Sequence, residues 1–289
     1  MVVPEDASVG PNPQVGWWNE GRKEWDTDGI SEVAFDPDTR RLTFASVRMT
    51  ALSLVQSRIV SLPYKTWVIR PLSANSASIT VATAVDSVEL LVTDSAVRLV
   101  APRSASIEAS HPQGMAPGLL LKTLQSYGLN LSPSPSDAAL IRGLVPKDKV
   151  MEAYACKEIA SIAPGFAVTH SCHNQRLPDT NIAVRTRHCT DYSQPPDMES
   201  SEAWQLVHFR MAPLLMCAFN PTAEAAEAWT DHRPAQIPSA CAHLPKLLAG
   251  GAPDTCLQRC DDASPLFLET LCVRLLLRCA AAWCNGVVV

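Results

Sequence analysis

Residues 25–71 place the strongest constraint on the fold, because apolar and polar side chains alternate there along two successive runs. Alternation with a period of two is typical of β-strands that bury one face. The apolar positions lie on both sides of an Asp-Pro-Asp turn signal at residues 36–38 and are Val33, Phe35, Leu42 and Phe44. The stretch therefore predicts a β-meander, and its composition does not resemble a catalytic centre.

Short strand-like runs separated by turn residues continue to about residue 100. About seven such strands at close spacing are typical of a small antiparallel β-sandwich. In one of these runs Trp67 and Ile69 fall on one face and Arg70 on the other. We therefore predict a β-sandwich domain over residues 25–110, with Trp67 in its core and Arg70 at its surface.

Residues 1–24 contain repeated prolines and glycines without apolar periodicity, which predicts an extended arm. Two adjacent tryptophans, Trp17 and Trp18, lie in this arm. Because large apolar area is unfavourable in water, we expect both to dock onto the neighbouring domain. The alternative is that they anchor a partner protein, since tryptophan is enriched at binding hot spots.

Residues 111–289 combine helical and strand-like patterns, so we predict an α+β fold: the N-terminal sandwich followed by a mixed α/β part with three main helices. The first helix follows Pro117 and stops near Gly128. The second spans residues 147–163, with Lys147, Glu152 and Glu158 among the polar residues expected on its outside. The third is a long amphipathic helix that begins at Ser264 and Pro265.

Composition argues against nucleic-acid, membrane and secreted classes of protein. The net charge is −5 and the chain has no run of Lys and Arg, whereas phosphate binding needs a concentrated basic surface. The apolar residues 266–289 include Glu269, Arg274 and Arg278, which favours a buried helix over a membrane span. The first ten residues lack a signal-peptide pattern, and none of the ten cysteines precedes Cys156, so we expect reduced thiols in the cytoplasm.

One group of residues has the chemistry of a metal site. Cysteine and histidine at short intervals are zinc-ligand types, and a hairpin could bring two such groups together. The spacing matches no recognised zinc module, and the same residues could instead form an activated thiol beside an imidazole. The candidates are His170, Cys172, His173, His188 and Cys189.

The remaining cysteines have a simpler interpretation. Cys256 and Cys260, and also Cys272 and Cys279, recur at helical spacing, and free cysteine usually packs as a small apolar residue in a core. Glycine-rich phosphate loops, metalloprotease motifs and nucleophile elbows are absent from the sequence. We therefore predict no catalytic residues, no bound cofactor and no metal ligands, and we expect a protein that is not an enzyme.

The order of the motifs resembles the C-terminal region of the axonemal dynein intermediate chain 7 family. The resemblance is carried by tryptophan before Asp28-Gly29-Ile30, by Leu54-Val55-Gln56, Leu62-Pro63-Tyr64 and Trp67-x-x-Arg70-Pro71, and downstream by Leu121, Leu124 and Gly128-Leu129-Asn130. It implies a non-catalytic subunit or assembly factor in the axoneme of a cilium or flagellum. The implied partners are axonemal dynein subunits, with tubulin or the microtubule as a second candidate. The alternative function is a small zinc-binding or thiol-dependent enzyme that uses residues 170–188.

Overall fold

The computed structural model describes residues 1–102, 104–141, 146–194, 204–211, 216–219, 243–276 and 278–279. Residues 1–56 form a small lobe that contains two antiparallel sheets. One sheet has the strand order β2-β1-β5, and the other pairs β3 with β4. These strands are β1 (Gln14–Asn19), β2 (Glu24–Asp26), β3 (Ile30–Asp36), β4 (Arg41–Ser46) and β5 (Leu52–Val55).

The small lobe has an apolar core of its own. Val3, Val15 and Leu42 are buried in it, and Phe35 and Phe44 pack against them. The alternating pattern of residues 25–71 thus correctly predicted strands β3 and β4. Strand β1 lies within the predicted arm, and its pairing with β5 joins segments about 40 residues apart, which a local pattern does not reveal.

The rest of the chain is built on one large antiparallel sheet with the strand order β13-β12-β11-β10-β6-β7-β8-β9. Its two halves are joined where β6 pairs with β10, with Ile69 opposite Val168. The strands are β6 (Thr66–Ser73), β7 (Ser76–Ala82), β8 (Ser87–Thr93), β9 (Val97–Ala101), β10 (Phe166–His170), β11 (Asn181–His188), β12 (Gln205–Met211) and β13 (Met216–Phe219).

Helices cover one face of this sheet. Helices α2 and α4 each contact a π-helix, and all three share a core with Trp67, Ile69 and Val184 of the sheet. The helices are α1 (Ala105–Ser110), α2 (Pro117–Ser126), α3 (Pro135–Ala139), α4 (Lys149–Ile162), α5 (Leu244–Leu248), α6 (Asp254–Asp261) and α7 (Pro265–Glu269), with a 3-10 helix (Cys172–Gln175) and the π-helix (Thr270–Leu276).

Side-chain caps fix the starts of two of the predicted helices. The Asp148 carboxylate accepts hydrogen bonds from the backbone N–H groups of Val150 and Met151, at 2.9 and 3.0 Å, which caps α4. Ser264 caps α7 in the same way, and the chain then continues directly into the π-helix. Trp283 and Gly286, which the sequence placed near the end of this last helix, lie outside the described residues.

The predicted α+β class, with antiparallel strands, is confirmed. The strands before residue 110 are distributed differently from the two facing sheets of a sandwich, because β6–β9 continue into β10 and bury their apolar face against helices. The large core therefore includes residues on both sides of the predicted boundary at residue 110. The division into domains stays a prediction.

Several polar positions of the predicted 147–163 helix differ from the expectation. Lys147, Glu152 and Glu158, which the helical pattern placed outside, are each at most 4% exposed. Lys147 and Glu158 find hydrogen-bond partners on segments far away in the sequence, which the pattern of one helix cannot show. Trp67 is buried as predicted, whereas Arg70 is only half exposed.

Candidate interaction site

The sequence motifs that carry the family resemblance meet at the junction between the small lobe and the helices. The side chain of Gln56, at the end of the Leu-Val-Gln motif, accepts a hydrogen bond from the backbone N–H of Gly10 at 3.1 Å. Its amide nitrogen donates to the carbonyl oxygens of Ser8 and Gly128, each at 3.1 Å. The Gln56 side chain, which directly follows β5, thus forms hydrogen bonds with both the N-terminal segment and the residue just after α2.

The next residues of both motifs extend this junction. The side-chain amide of Asn130 donates to the carbonyl oxygen of Arg58 at 2.8 Å, and its backbone N–H donates to the Ser61 hydroxyl at 3.4 Å. The Tyr64 hydroxyl donates to the carbonyl oxygen of Leu131 at 2.7 Å in a fully buried position. The sequence order of these motifs therefore specifies one contact region in three dimensions.

Gly128 has the backbone conformation that this junction requires. Its φ is +91°, a left-handed conformation that glycine adopts without steric cost. A Cβ at this position would lie 2.3 Å from the Gln56 amide nitrogen and 2.6 Å from the Ser8 carbonyl oxygen. The role of Gln56, Gly128 and Asn130 is thus to fix the orientation of the lobe, and they form no chemical site.

The small lobe presents an aromatic pair on strands β1 and β2. Trp18 and Trp25 are register partners, and their rings meet edge to face with centroids 5.5 Å apart. The Trp25 side chain remains 43% exposed. Trp18 is half-buried. A partly exposed aromatic pair held by a strand ladder is a typical anchor for a partner protein. We call Trp18 and Trp25 the aromatic surface.

Trp17 differs from its neighbour. Its indole N–H donates to the Asp28 carbonyl oxygen at 2.9 Å, and the Arg48 guanidinium lies 4.6 Å from its ring centroid. Trp17 therefore docks within the small lobe, as the sequence predicted for both tryptophans. For Trp18 the structure leaves the alternative of a partner anchor open, since its ring contact is with the exposed Trp25.

The histidine and cysteine candidates are not brought together. Strand register places His170 opposite Val184 and His188 opposite Phe166, so His188 lies about 13 Å farther along the hairpin than His170 at roughly 3.3 Å per residue. Cys172 and His173 follow the end of the hairpin that holds His170. Within the described part of the chain, no cluster of three or more His, Cys, Asp or Glu side chains could hold a metal ion.

The electrostatics also disfavour an activated thiol at Cys172. Burial lowers the pKa of His170 and of His173, and the nearby Arg185 and Arg176 lower them further, so both imidazoles are neutral at pH 7. A neutral imidazole does not stabilise a thiolate by charge as an imidazolium does. The thiol-based alternative from the sequence thus has no support by charge from His170 or His173.

The other cysteines that we described as core residues are buried. Burial raises the pKa of Cys260 to about 12 and that of Cys272 to about 11, which keeps both thiols protonated and unreactive. Cys256 is fully buried, and its carbonyl oxygen packs against Gly165. The interpretation of these cysteines as small apolar core residues agrees with their burial.

An internal cavity lies between the sheet and α4, but it is too small for an organic substrate. Its volume is about 10 Å³, which is near the minimum for one water molecule. Trp67, Cys156 and Leu276 are among the residues that line it.

Among the described helices, none has the length and hydropathy needed to cross a bilayer.

Comparison with known proteins supports the family resemblance. No protein-family model matches the chain. The dynein axonemal intermediate chain 7 homolog of Ciona intestinalis is 25% identical over 210 residues, which is 71% of this chain and 28% of that protein. Dynein axonemal intermediate chain 7 of Homo sapiens is 27% identical over 199 residues, or 66% of this chain and 27% of that protein. The Mus musculus protein is 28% identical over 201 residues, or 68% of this chain and 26% of the relative.

The matches agree with one another across distant animals, and each covers about two thirds or more of this chain. The chain matches little more than a quarter of the length of these relatives. The chain is therefore a distant homologue of the dynein axonemal intermediate chain 7 family.

Proposed function

We propose that this chain is a non-catalytic subunit or an assembly and docking factor of axonemal dynein in motile cilia or flagella. It binds dynein components, with tubulin as a second candidate partner. The observation that carries this proposal is the consistent similarity to proteins named dynein axonemal intermediate chain 7 from Ciona to mammals. Because the chain matches only part of each relative, the partners of the whole relatives enter here as part of the proposal.

Two features of the structure support a binding role. The junction around Gln56 and Gly128 fixes the small lobe on the helices through several hydrogen bonds, which gives the lobe a defined orientation. In the aromatic surface of that lobe Trp25 is exposed and Trp18 is half-buried beneath it. We propose that a dynein subunit covers the aromatic surface, since such aromatic anchors supply much of the energy of protein interfaces.

The enzyme alternative receives less support. Its residues, His170, Cys172, His173, His188 and Cys189, are divided between opposite ends of a hairpin. Metal analysis of the purified chain tests this alternative directly. Stoichiometric zinc that is lost in the Cys172→Ser and His188→Ala variants would favour it over a docking role.

The proposal is tested with a tagged full-length chain expressed in a ciliated cell. We expect the tag in the axoneme and co-purification of dynein subunits in an axonemal extract. The Trp18→Ala, Trp25→Ala double variant should lose most of this co-purification. Absence of the wild-type chain from cilia would overturn the proposed function.

A matched control separates loss of the aromatic surface from a general loss of apolar area. Leu119 and Val150 are exposed apolar residues on α2 and α4. The Leu119→Ala, Val150→Ala variant should co-purify as the wild type does. If the tryptophan variant and this control behave alike while the wild type is axonemal, the docking role stands but the aromatic surface is not its contact.

A further inference from the structure

Three serines of the chain are each followed by proline, and two of these pairs follow one another between α2 and the start of α3. The serines are Ser132, Ser134 and Ser264. The residue before a proline is biased toward an extended backbone, which is the conformation in which protein kinases bind the segment that they modify. Proline also has no backbone N–H, and proline-directed kinases select for this feature directly after the acceptor serine. The three pairs therefore share one modification chemistry but differ in their surroundings.

Two of these serines, Ser132 and Ser264, are held by distant parts of the chain. The Ser132 hydroxyl donates to the Arg278 carbonyl oxygen at 2.7 Å. Ser264 caps α7, and its backbone N–H donates to the side-chain oxygen of Asn75 at 2.6 Å. Presenting either serine to a kinase therefore breaks a contact with a segment that is 146 or 189 residues away in the sequence.

The third serine, Ser134, is half-buried and is held by local contacts. Its hydroxyl donates to Asp137 Oδ2 at 2.8 Å, and its backbone N–H donates to the same oxygen at 2.9 Å. The Asp137 backbone N–H in turn donates to the Ser134 hydroxyl oxygen at 3.2 Å. These bonds close the first turn of α3, which is only five residues long and so has little stability of its own. Opening of this one turn presents Ser134.

A guanidinium group lies beside the same turn. The Arg58 Nη2 is 3.5 Å from Asp137 Oδ2, so Arg58 and the Ser134 hydroxyl meet the same carboxylate oxygen. The Arg58 side chain is 66% exposed, whereas that of Asp137 is 7% exposed. An exposed guanidinium turns to a new anion at little cost, because surface ion pairs contribute little to stability. Arg58 is thus placed to pair with a phosphate on Ser134, which guanidinium groups bind in a two-pronged geometry.

We propose that Ser134 is the acceptor of a proline-directed serine/threonine kinase, and that its phosphate replaces Asp137 as the partner of Arg58. The Ser134 oxygen attacks the γ-phosphorus of magnesium-bound ATP and forms a new O–P bond. The bond between the γ-phosphorus and the bridging oxygen breaks, ADP leaves, and the hydroxyl proton passes to the catalytic aspartate of the kinase. The product carries a charge of about −1.5 to −2 beside the Asp137 carboxylate, and its ester oxygen no longer donates to that carboxylate. Phosphorylation therefore opens the first turn of α3.

This turn is connected to the lobe junction. The Arg58 carbonyl oxygen accepts a hydrogen bond from the Asn130 side chain at 2.8 Å, within the contact region that includes Gln56 and Gly128. The modified turn is therefore one residue away from the hydrogen bonds that orient the small lobe. The modification does not depend on the proposed axonemal role.

The site is tested with the purified full-length chain, MgATP and a mitogen-activated protein kinase, which is proline-directed. Mass spectrometry of tryptic peptides locates the phosphate. We expect Ser134 to be labelled at least about tenfold faster than Ser132 or Ser264, since each of these must also lose a contact with a distant segment. Ser134→Ala should lose most of the incorporation, and Ser132→Ala is the matched control that should retain it. Pro135→Ala keeps the acceptor serine and should also lose the labelling, which covers the case that Ser134→Ala does not fold.

Three outcomes of this experiment would overturn the proposed site. They are equal labelling of the three serines, labelling of Ser134→Ala at the wild-type rate, and no labelling of the wild-type chain.

Hydrogen exchange tests the change of partner at Arg58. We expect the backbone of residues 135–139 to exchange at least about tenfold faster in the phosphorylated chain, because Asp137 loses a hydrogen bond to its charge and also its cation. In Arg58→Gln the cation is absent from both forms, so phosphorylation should accelerate exchange less. Arg98→Gln, at an exposed position on β9, is the matched control and should behave as the wild type. Unchanged exchange in the phosphorylated wild type, or the same acceleration in Arg58→Gln, contradicts the role of Arg58.

Discussion

The side-chain amide nitrogen of Gln56 lies 3.1 Å from the carbonyl oxygen of Gly128, 72 residues later in the chain. We expect Gln56→Leu to reduce the free energy of unfolding by about 1–2 kcal/mol, because it leaves the Gly10 N–H and the Gly128 carbonyl without this partner. Chemical denaturation measures the change. Gln125→Leu on the exposed side of α2 is the matched control and should stay within about 0.5 kcal/mol of the wild type. Similar losses in both variants would show that Gln56 does not hold the junction.

Lys147 gives a second prediction, because its ammonium group is buried among backbone carbonyls. It donates to the carbonyl oxygens of Asn174, Leu177 and Pro178 at 2.8, 2.9 and 3.2 Å. Lys147→Met should lower the free energy of unfolding by about 2–4 kcal/mol, since several buried acceptors lose their donor. Lys122, an exposed residue of α2, provides the control, and Lys122→Met should have little effect. Protection of the 174–178 backbone from hydrogen exchange should fall only in the Lys147 variant.

The features that the sequence predicted well are local ones. Alternation identified β3 and β4, helical spacing of apolar residues identified α4, and the Ser264 cap identified the start of α7. A cap or an alternating run depends on residues a few positions apart, so its signal is complete within a short window.

The features that the sequence did not predict depend on contacts between residues far apart in the chain. The pairing of β6 with β10 places Ile69 opposite Val168, and the sequence pattern of one strand does not identify its partner strand. Glu158 looked like a surface residue of α4, but its carboxylate accepts the Leu244 N–H at 2.6 Å and is buried. The zinc hypothesis assumed that His170 and His188 meet, whereas the register separates them.

Close packing at Gly165 leads to a third prediction. A Cβ at this position would lie 2.2 Å from the carbonyl oxygen of Cys256, so Gly165→Ala must push α6 away from β10. We expect a loss of roughly 1–3 kcal/mol in unfolding free energy and faster labelling of Cys256 and Cys260 by a thiol reagent. Gly250 has no described heavy atom within 4 Å of such a Cβ, so Gly250→Ala is the control. Unchanged labelling in the Gly165 variant would contradict the packing.

The final prediction concerns the pH dependence of stability and follows from His208 on β12. Burial lowers the pKa of this imidazole to about 3, and Arg210, Lys147 and His173 contribute in the same direction. The native state therefore holds His208 neutral, while the unfolded chain takes up a proton as the pH falls through about 6.5. The stability that the neutral form contributes is present above pH 6.5 and is lost progressively toward pH 3.

At pH 5 this loss amounts to about 2 kcal/mol relative to pH 7.5 for one proton. His208→Gln removes the titrating group, so its unfolding free energy should fall less steeply between pH 6.5 and pH 5 than that of the wild type. His170 and His173, whose pKa values burial also lowers, add to the slope in both proteins. Denaturation curves at several pH values measure the difference, with His188→Gln at an exposed position as the matched control. Parallel pH profiles for the wild type and His208→Gln would mean that His208 is protonated in the native protein, against its burial between β11 and β13.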